Sequence, residues 1–187
     1  MMKRLSCVLM LACLCFALQR LALADLDARQ VFRQARPSVV VVIGLDRRGD
    51  PISLGSGFFI GDGKKVVTNH HVVDGVKSVQ LKLFTGEIID VPAIIGINKS
   101  RDLVVLKAPS WGQPLNLAVT AEIGEDILAI GNPQGLEATI SPGLVSGIRT
   151  DDAAQYYQIT AAISPGSSGG PVLNEKAEVI GVATFYL

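Results

Sequence analysis

Short apolar runs, cut off one after another by glycine and proline from Val39 to Phe185, constrain this chain more than any other feature. Val39 to Ile43 is an unbroken, mostly β-branched run. Gly57 to Ile60 and Val66 to Thr68 flank Gly61-Asp62-Gly63, a turn signal. Val79 to Phe84 alternates apolar and polar residues, the mark of a half-buried strand. Ile88 to Ile97, Leu103 to Leu106, Ile127 to Ile130, Leu144 to Ile148, Tyr156 to Ala162, Pro171 to Leu173 and Val179 to Phe185 continue the series. One segment reads differently. Asp25 to Arg36 is an amphipathic helix with Leu26, Val31, Phe32 and Ala35 towards one side, stopped by Pro37. A chain with about a dozen short strands and almost no helix belongs to the all-β class, as closed antiparallel barrels or a sandwich. Pro109 to Pro114 is the natural linker between two halves. Repeats, low-complexity tracts and charge runs are absent from the sequence.

The length of 187 residues suits one domain, or two small subdomains sharing a site. Acidic and basic residues balance at 17 each, so no basic excess points to nucleic acid. Residues 1–24 read as a signal peptide. Lys3 and Arg4 precede an apolar run from Leu5 to Leu18, and Ala22-Leu23-Ala24 forms the small-x-small site before Asp25. The run is too short to span a bilayer comfortably, which disfavours an uncleaved anchor. A lipid anchor at Cys13 fits less well, because the apolar stretch before it is short. The expected location is periplasmic or secreted. Loss of the leader removes Lys3, Arg4 and Arg20 and no acid, leaving 14 basic and 17 acidic residues in 25–187. It also removes all three cysteines (Cys7, Cys13, Cys15), so the mature chain forms no disulfide and depends on its core.

Chemistry concentrates in Ser164-Pro165-Gly166-Ser167-Ser168-Gly169-Gly170-Pro171. A nucleophilic serine needs a tight turn that presents its hydroxyl, with neighbouring amides aimed at a developing oxyanion. Glycines on both sides of Ser168 permit the dihedrals this requires, although Ser/Gly-rich hairpin loops share the same composition. The only histidines are the adjacent His70 and His71, so a base for this serine comes from that pair. A metal site is disfavoured, because the mature chain has no cysteine and no further histidine. Among the acids between the histidines and Ser168, Asp102 opens the apolar run Leu103 to Leu106. An acid there is expected to be partly buried and to need a partner. Gly166-x-Ser168-x-Gly170 also matches the nucleophile elbow of α/β-hydrolases. That fold places its histidine after the serine, and none follows Ser168. The order His, Asp, Ser in an all-β chain is that of chymotrypsin-like serine proteases.

The stretches TNHHVVDG, DLVVLK, AIGNPQGL and SPGSSGGPVLN resemble, in this order, the trypsin-like domain of the Deg/HtrA periplasmic proteases. The resemblance runs from about Arg36 to Leu187. It implies two antiparallel six-stranded barrels, about 37–108 and 115–187, with the active site between them. The catalytic histidine of that family directly precedes a Val-Val pair, which selects His71 over His70. Asp102 and Ser168 complete the implied triad, and the amides of Gly166, Ser167 and Ser168 are the implied oxyanion hole. Lys- and Arg-specific relatives carry an acid six residues before the serine. Here that position is Ala162, so a pocket formed by Ala161, Ala162 and Ile163 is expected to take small or medium aliphatic side chains. The implied substrates are unfolded or exported polypeptides, with no cofactor and no metal; a homotrimer is implied by the resemblance alone. The second barrel is expected to be incomplete at its C-terminus, and the PDZ domain usual in Deg proteins is not expected. The competing reading is a non-catalytic peptide-binding or holdase module that keeps the protease fold.

Overall fold

The computed structural model describes residues 27–132, 138–150 and 155–184. The expected leader, Leu26, residues 133–137 of the Asn-Pro motif and Phe185 lie outside them. The described chain opens with helix α1 (Ala28–Ala35), which starts where the Asp27 carboxylate accepts from the amides of Arg29 and Gln30, both at 3.1 Å. Such a cap is worth about 1 kcal/mol. The helix buries Val31 and Ala35, and Pro37 turns the chain through a 3-10 turn into the first strand.

Twelve strands follow among the described residues: β1 (Val39–Leu45), β2 (Pro51–Ile60), β3 (Lys65–Asn69), β4 (Ser78–Lys82), β5 (Ile88–Asp90), β6 (Ala93–Asn98), β7 (Leu103–Lys107), β8 (Asp126–Gly131), β9 (Thr139–Thr150), β10 (Gln155–Ile159), β11 (Pro171–Leu173) and β12 (Val179–Val182). A single helical turn, α2 (His70–Val73), interrupts them after β3. All pairings between strands are antiparallel, in a seven-stranded sheet ordered β5-β4-β1-β2-β3-β7-β6 and a five-stranded sheet ordered β10-β9-β8-β11-β12. The chain is therefore nearly all-β, as expected, in two curled antiparallel sheets. The first sheet has seven strands because Ile88 to Ile97, expected as one strand, is divided at Val91-Pro92. Proline has no N–H to give a ladder. Five strands of the second sheet are described.

Three cores hold these sheets. Val40, Val42, Val66, Leu81, Val104 and Leu106 fill the first sheet's own core. Ile127, Ala129, Val145 and Val172 belong to the second sheet's core. Between them lies a shared core in which Val31 and Ala35 of α1 and Val39 and Phe58 of the first sheet meet Leu128, Ile130 and Leu173 of the second. The central strands β1 and β8 thus send alternate residues into different cores, which is why neither shows apolar-polar alternation. By contrast β4 buries Val79 and Leu81 and leaves Gln80 and Lys82 part-exposed, as its alternation predicts.

The expected linker is not loose. Gly112 N–H donates to Gly63 O at 2.8 Å. Just beyond it, Leu115 N–H donates to Phe59 O at 2.9 Å, and Val179 N–H to Asn116 O at 2.8 Å. The segment after the linker therefore stitches the two sheets together. Strand β9 is longer than Leu144 to Ile148. Its first half, through Leu144, pairs with β8 and its second half, from Val145, with β10.

Candidate active site

The site begins at the end of β3, where Asn69 leads into α2. His71 follows in that turn, and its ring Nδ1 lies 2.6 Å from Asp102 Oδ2 while its backbone N–H donates to Asp102 Oδ1 at 2.8 Å. One carboxylate thus takes both polar groups of the same histidine. The Asp102 side chain is 15% exposed and the His71 side chain 48% exposed, so the acid is shielded and the ring has an open side. His70, one residue earlier in the turn, sends its ring elsewhere: Nε2 lies 3.9 Å from Asp74 Oδ1, one helical turn on.

Asp102 sits immediately before β7 with φ of +52°, in the left-handed region that non-glycine residues seldom occupy. Its surroundings over-determine that conformation. The Asp102 carbonyl accepts from His70 N–H at 3.0 Å and from Asn69 Nδ2 at 2.9 Å, and its N–H donates to Lys99 O at 3.2 Å. Asn69 Nδ2 also donates to Thr184 Oγ1 at 3.0 Å, so a single buried amide ties the histidine turn, the aspartate and the end of the described chain together.

Ser168 lies on the loop between β10 and β11. That loop is wound by Ser167 N–H to Ser164 O at 2.9 Å and Gly170 N–H to Ser167 O at 3.0 Å. Gly166 (φ +94°) and Gly169 (φ +87°) supply the positive dihedrals the winding needs. A Cβ on Gly169 would strike Ser56 O and Thr68 Oγ1, with Asn69 N close behind at 3.1 Å. Only glycine lets the loop lie this close to the end of β3, where the histidine turn begins. The chain leaving β12 closes the far side, with Gly169 N–H to Ala183 O and Ala183 N–H to Gly170 O, both at 2.8 Å. Of the three loop amides singled out in the sequence, that of Ser167 is already committed within the loop.

Beside this loop is a cavity of about 420 Å³, lined among others by Arg101, Tyr157, Ile159, Ile163, Ile180 and Ala183. Of the three expected pocket residues only Ile163 lines it. Ala161 is buried in the second sheet's core and Ala162 is exposed. Sequence reasoning passed over Ser56, Asn69 and Asn132, which are buried and tie the loop, the histidine turn and both sheets together. The only signals were a serine between two glycines, an asparagine before the histidines and an Asn-Pro step after β8.

The model of the trypsin-like peptidase domain matches residues 55–182. Protease Do-like 1, chloroplastic, of Arabidopsis thaliana is 31% identical over 188 aligned residues, covering 89% of this chain and 43% of its own. A DegP-like periplasmic serine endoprotease of Chlamydia muridarum is 38% identical over 138 residues, covering 70% of this chain and 28% of its own. Among solved structures, the serine endoprotease from Yersinia pestis superposes with a TM-score of 0.74 at 31% identity, over 85% of this chain and 57% of that one. The HtrA-type protease AlgW, solved with a tripeptide, gives 0.74 at 26% identity, over 82% of this chain and 52% of that one. The chain spans less than half the length of these two curated relatives. With both sheets, the His-Asp pair and the glycine-wound serine loop in place, the chain belongs to the trypsin-like peptidase domain family, in its Deg/HtrA branch.

Proposed function

We propose that the chain is a serine endopeptidase of unfolded or exported proteins, acting in the periplasm or outside the cell, with His71, Asp102 and Ser168 as its triad. The two halves are residues 37–108 and 115–187, and the leader 1–24 directs export; the periplasmic naming of DegP-like relatives supports this location. The doubled bond between His71 and Asp102 carries the reading. With Nδ1–H donated to the carboxylate, the neutral ring keeps its lone pair on Nε2, the atom that must act as base. Ser168 Oγ attacks the peptide carbonyl carbon and its proton passes to Nε2. The carbonyl electrons move to oxygen, where the amides of Gly166 and Ser168 stabilise them, each worth about 10²–10³ in rate. The imidazolium, stabilised by Asp102, then protonates the departing amine as the C–N bond breaks. Water repeats the sequence on the acyl-enzyme and returns the serine.

The cavity beside the loop supports an aliphatic preference. Ile163 and Ala183 line it, and Ala183 is bonded directly to the residues that follow Ser168. Among the described residues its lining includes Arg101 and no carboxylate, so none of them offers a counter-charge to a lysine or arginine side chain.

The test is degradation of a permanently unfolded protein at pH 7.5 by the chain and by its Ser168→Ala variant. Only the parent should cut, after small or medium aliphatic residues, with the variant slower by roughly 10⁴-fold or more. Ser167→Ala should stay active. Equal cutting by parent and Ser168→Ala would remove Ser168 from the chemistry, and cuts after Lys or Arg would overturn the pocket assignment. Capture of the unfolded protein without cleavage by either would support a binding module instead.

A further inference from the structure

Ser56 occupies the middle of Gly55-Ser56-Gly57 in β2, fully buried, and every polar group it has is bonded to a segment of the site. Its hydroxyl donates to Gly166 O at 2.7 Å and accepts from Asn132 N–H at 2.8 Å. Its backbone N–H donates to Ser168 O at 2.7 Å, and its carbonyl accepts from Thr68 Oγ1 at 2.7 Å. We propose that Ser56 is a positioning residue, whose hydroxyl holds the Gly166–Ser167 peptide and so aims the oxyanion-binding amides. This rests on the endopeptidase reading above.

The reasoning is geometric. A peptide unit is a rigid plane, so gripping its two polar ends fixes its orientation. The Gly166–Ser167 plane is gripped at its carbonyl by Ser56 Oγ and at its N–H by Ser164 O. The proposed donor on Gly166 lies one bond further back, across a glycine with φ of +94°. Glycine rotates there at little cost, so the preceding plane is free to swing unless its neighbour is pinned. Ser56 is the pin, and it is anchored in turn. Asn132, whose N–H it accepts, is held by Nδ2 to Val40 O at 3.0 Å and by Oδ1 from Ala138 N–H at 2.9 Å. The hydroxyl thus joins β2, the exit of β8 and the nucleophile loop at one point. It spends its hydrogen on one partner and a lone pair on another, as a buried hydroxyl must to offset its desolvation. Packing alone would be met by alanine; only the hydroxyl bridges the two segments.

A donor that is aimed wrongly binds substrate as before and fails at the oxyanion. Ser56→Ala should therefore lower kcat about tenfold or more, with KM within about twofold, since uniform binding is untouched. A peptide boronic acid, which mimics the tetrahedral state at Ser168, should bind more weakly by a similar factor, and a product peptide should bind unchanged. A merely structural role would shift melting without this split. If Ser56→Ala keeps kcat within twofold, or loses product-peptide binding equally, the proposal is overturned. If Ser56→Ala does not fold, Ser56→Cys decides: nearly the same volume with a weak donor should give a kcat between parent and background at unchanged KM, and parental kcat would overturn the proposal. Failure of the parent itself to react with a serine-directed phosphonate would sink the endopeptidase reading, a result separate from any effect at Ser56.

Discussion

The rings of His70 and His71 leave one helical turn in different directions, because neighbours in a helix are not on the same face. One reaches Asp102 at 2.6 Å and the other faces Asp74 at 3.9 Å. His71→Ala should therefore cost on the order of 10⁴-fold or more in kcat, and His70→Ala less than about tenfold, read from initial rates on the same peptide. The reverse ranking would move the base by one position. The left-handed backbone of Asp102 costs about 1–2 kcal/mol on steric grounds. The bonds that Asp102 makes with His70, His71, Asn69 and Lys99 offset that cost. From composition, the two histidines were equivalent. The direction of each ring depends on the turn that carries it, which a two-residue stretch does not encode.

At the scale of elements, the nucleophile loop depends on how near it can lie to β2 and β3. Gly169→Ala adds a Cβ against the Ser56 carbonyl, a backbone atom with no room to retreat, at a φ of +87° that side chains rarely adopt. The variant should lose about 1–3 kcal/mol of stability by denaturant unfolding, and its folded fraction should label slowly with a serine-directed phosphonate. Parental stability and labelling would show that the loop tolerates displacement. Most strands were legible because they are short, apolar and bounded by Gly or Pro. The misjudged boundaries have local causes: Pro92 split one strand, and Pro142-Gly143, which looks like a break, pairs in register with Leu128 and Ile127 inside β9. A proline in a sequence marks a missing donor without saying whether the sheet needed one there.

For the whole molecule, stability rests on the core shared by α1 and both sheets. Leu128 is fully buried there beside Ile130, Leu173 and Phe58. Leu128→Ala should cost about 2–5 kcal/mol. Since this core joins the sheets, circular dichroism and proteolytic activity should be lost together in one transition. Two separate transitions would mean that the sheets fold independently.

Local sequence carried the chemistry and the fold class: a glycine-flanked serine, one histidine pair, an aspartate at a strand mouth, and strands in the order that places them in a two-sheet protein. Those signals survive because propensity, periodicity and turn preference act over a few residues. The framework that holds the groups in register is not local. The bond from Ser56 to Gly166 spans 110 residues, that from Asn132 to Ser56 spans 76, and that from Asn69 to Thr184 spans 115. Serine and asparagine are common in turns and bear no mark of which distant carbonyl they will meet. Only the packing of one sheet against the other, which excludes water and makes an unpartnered buried polar group costly, decides that.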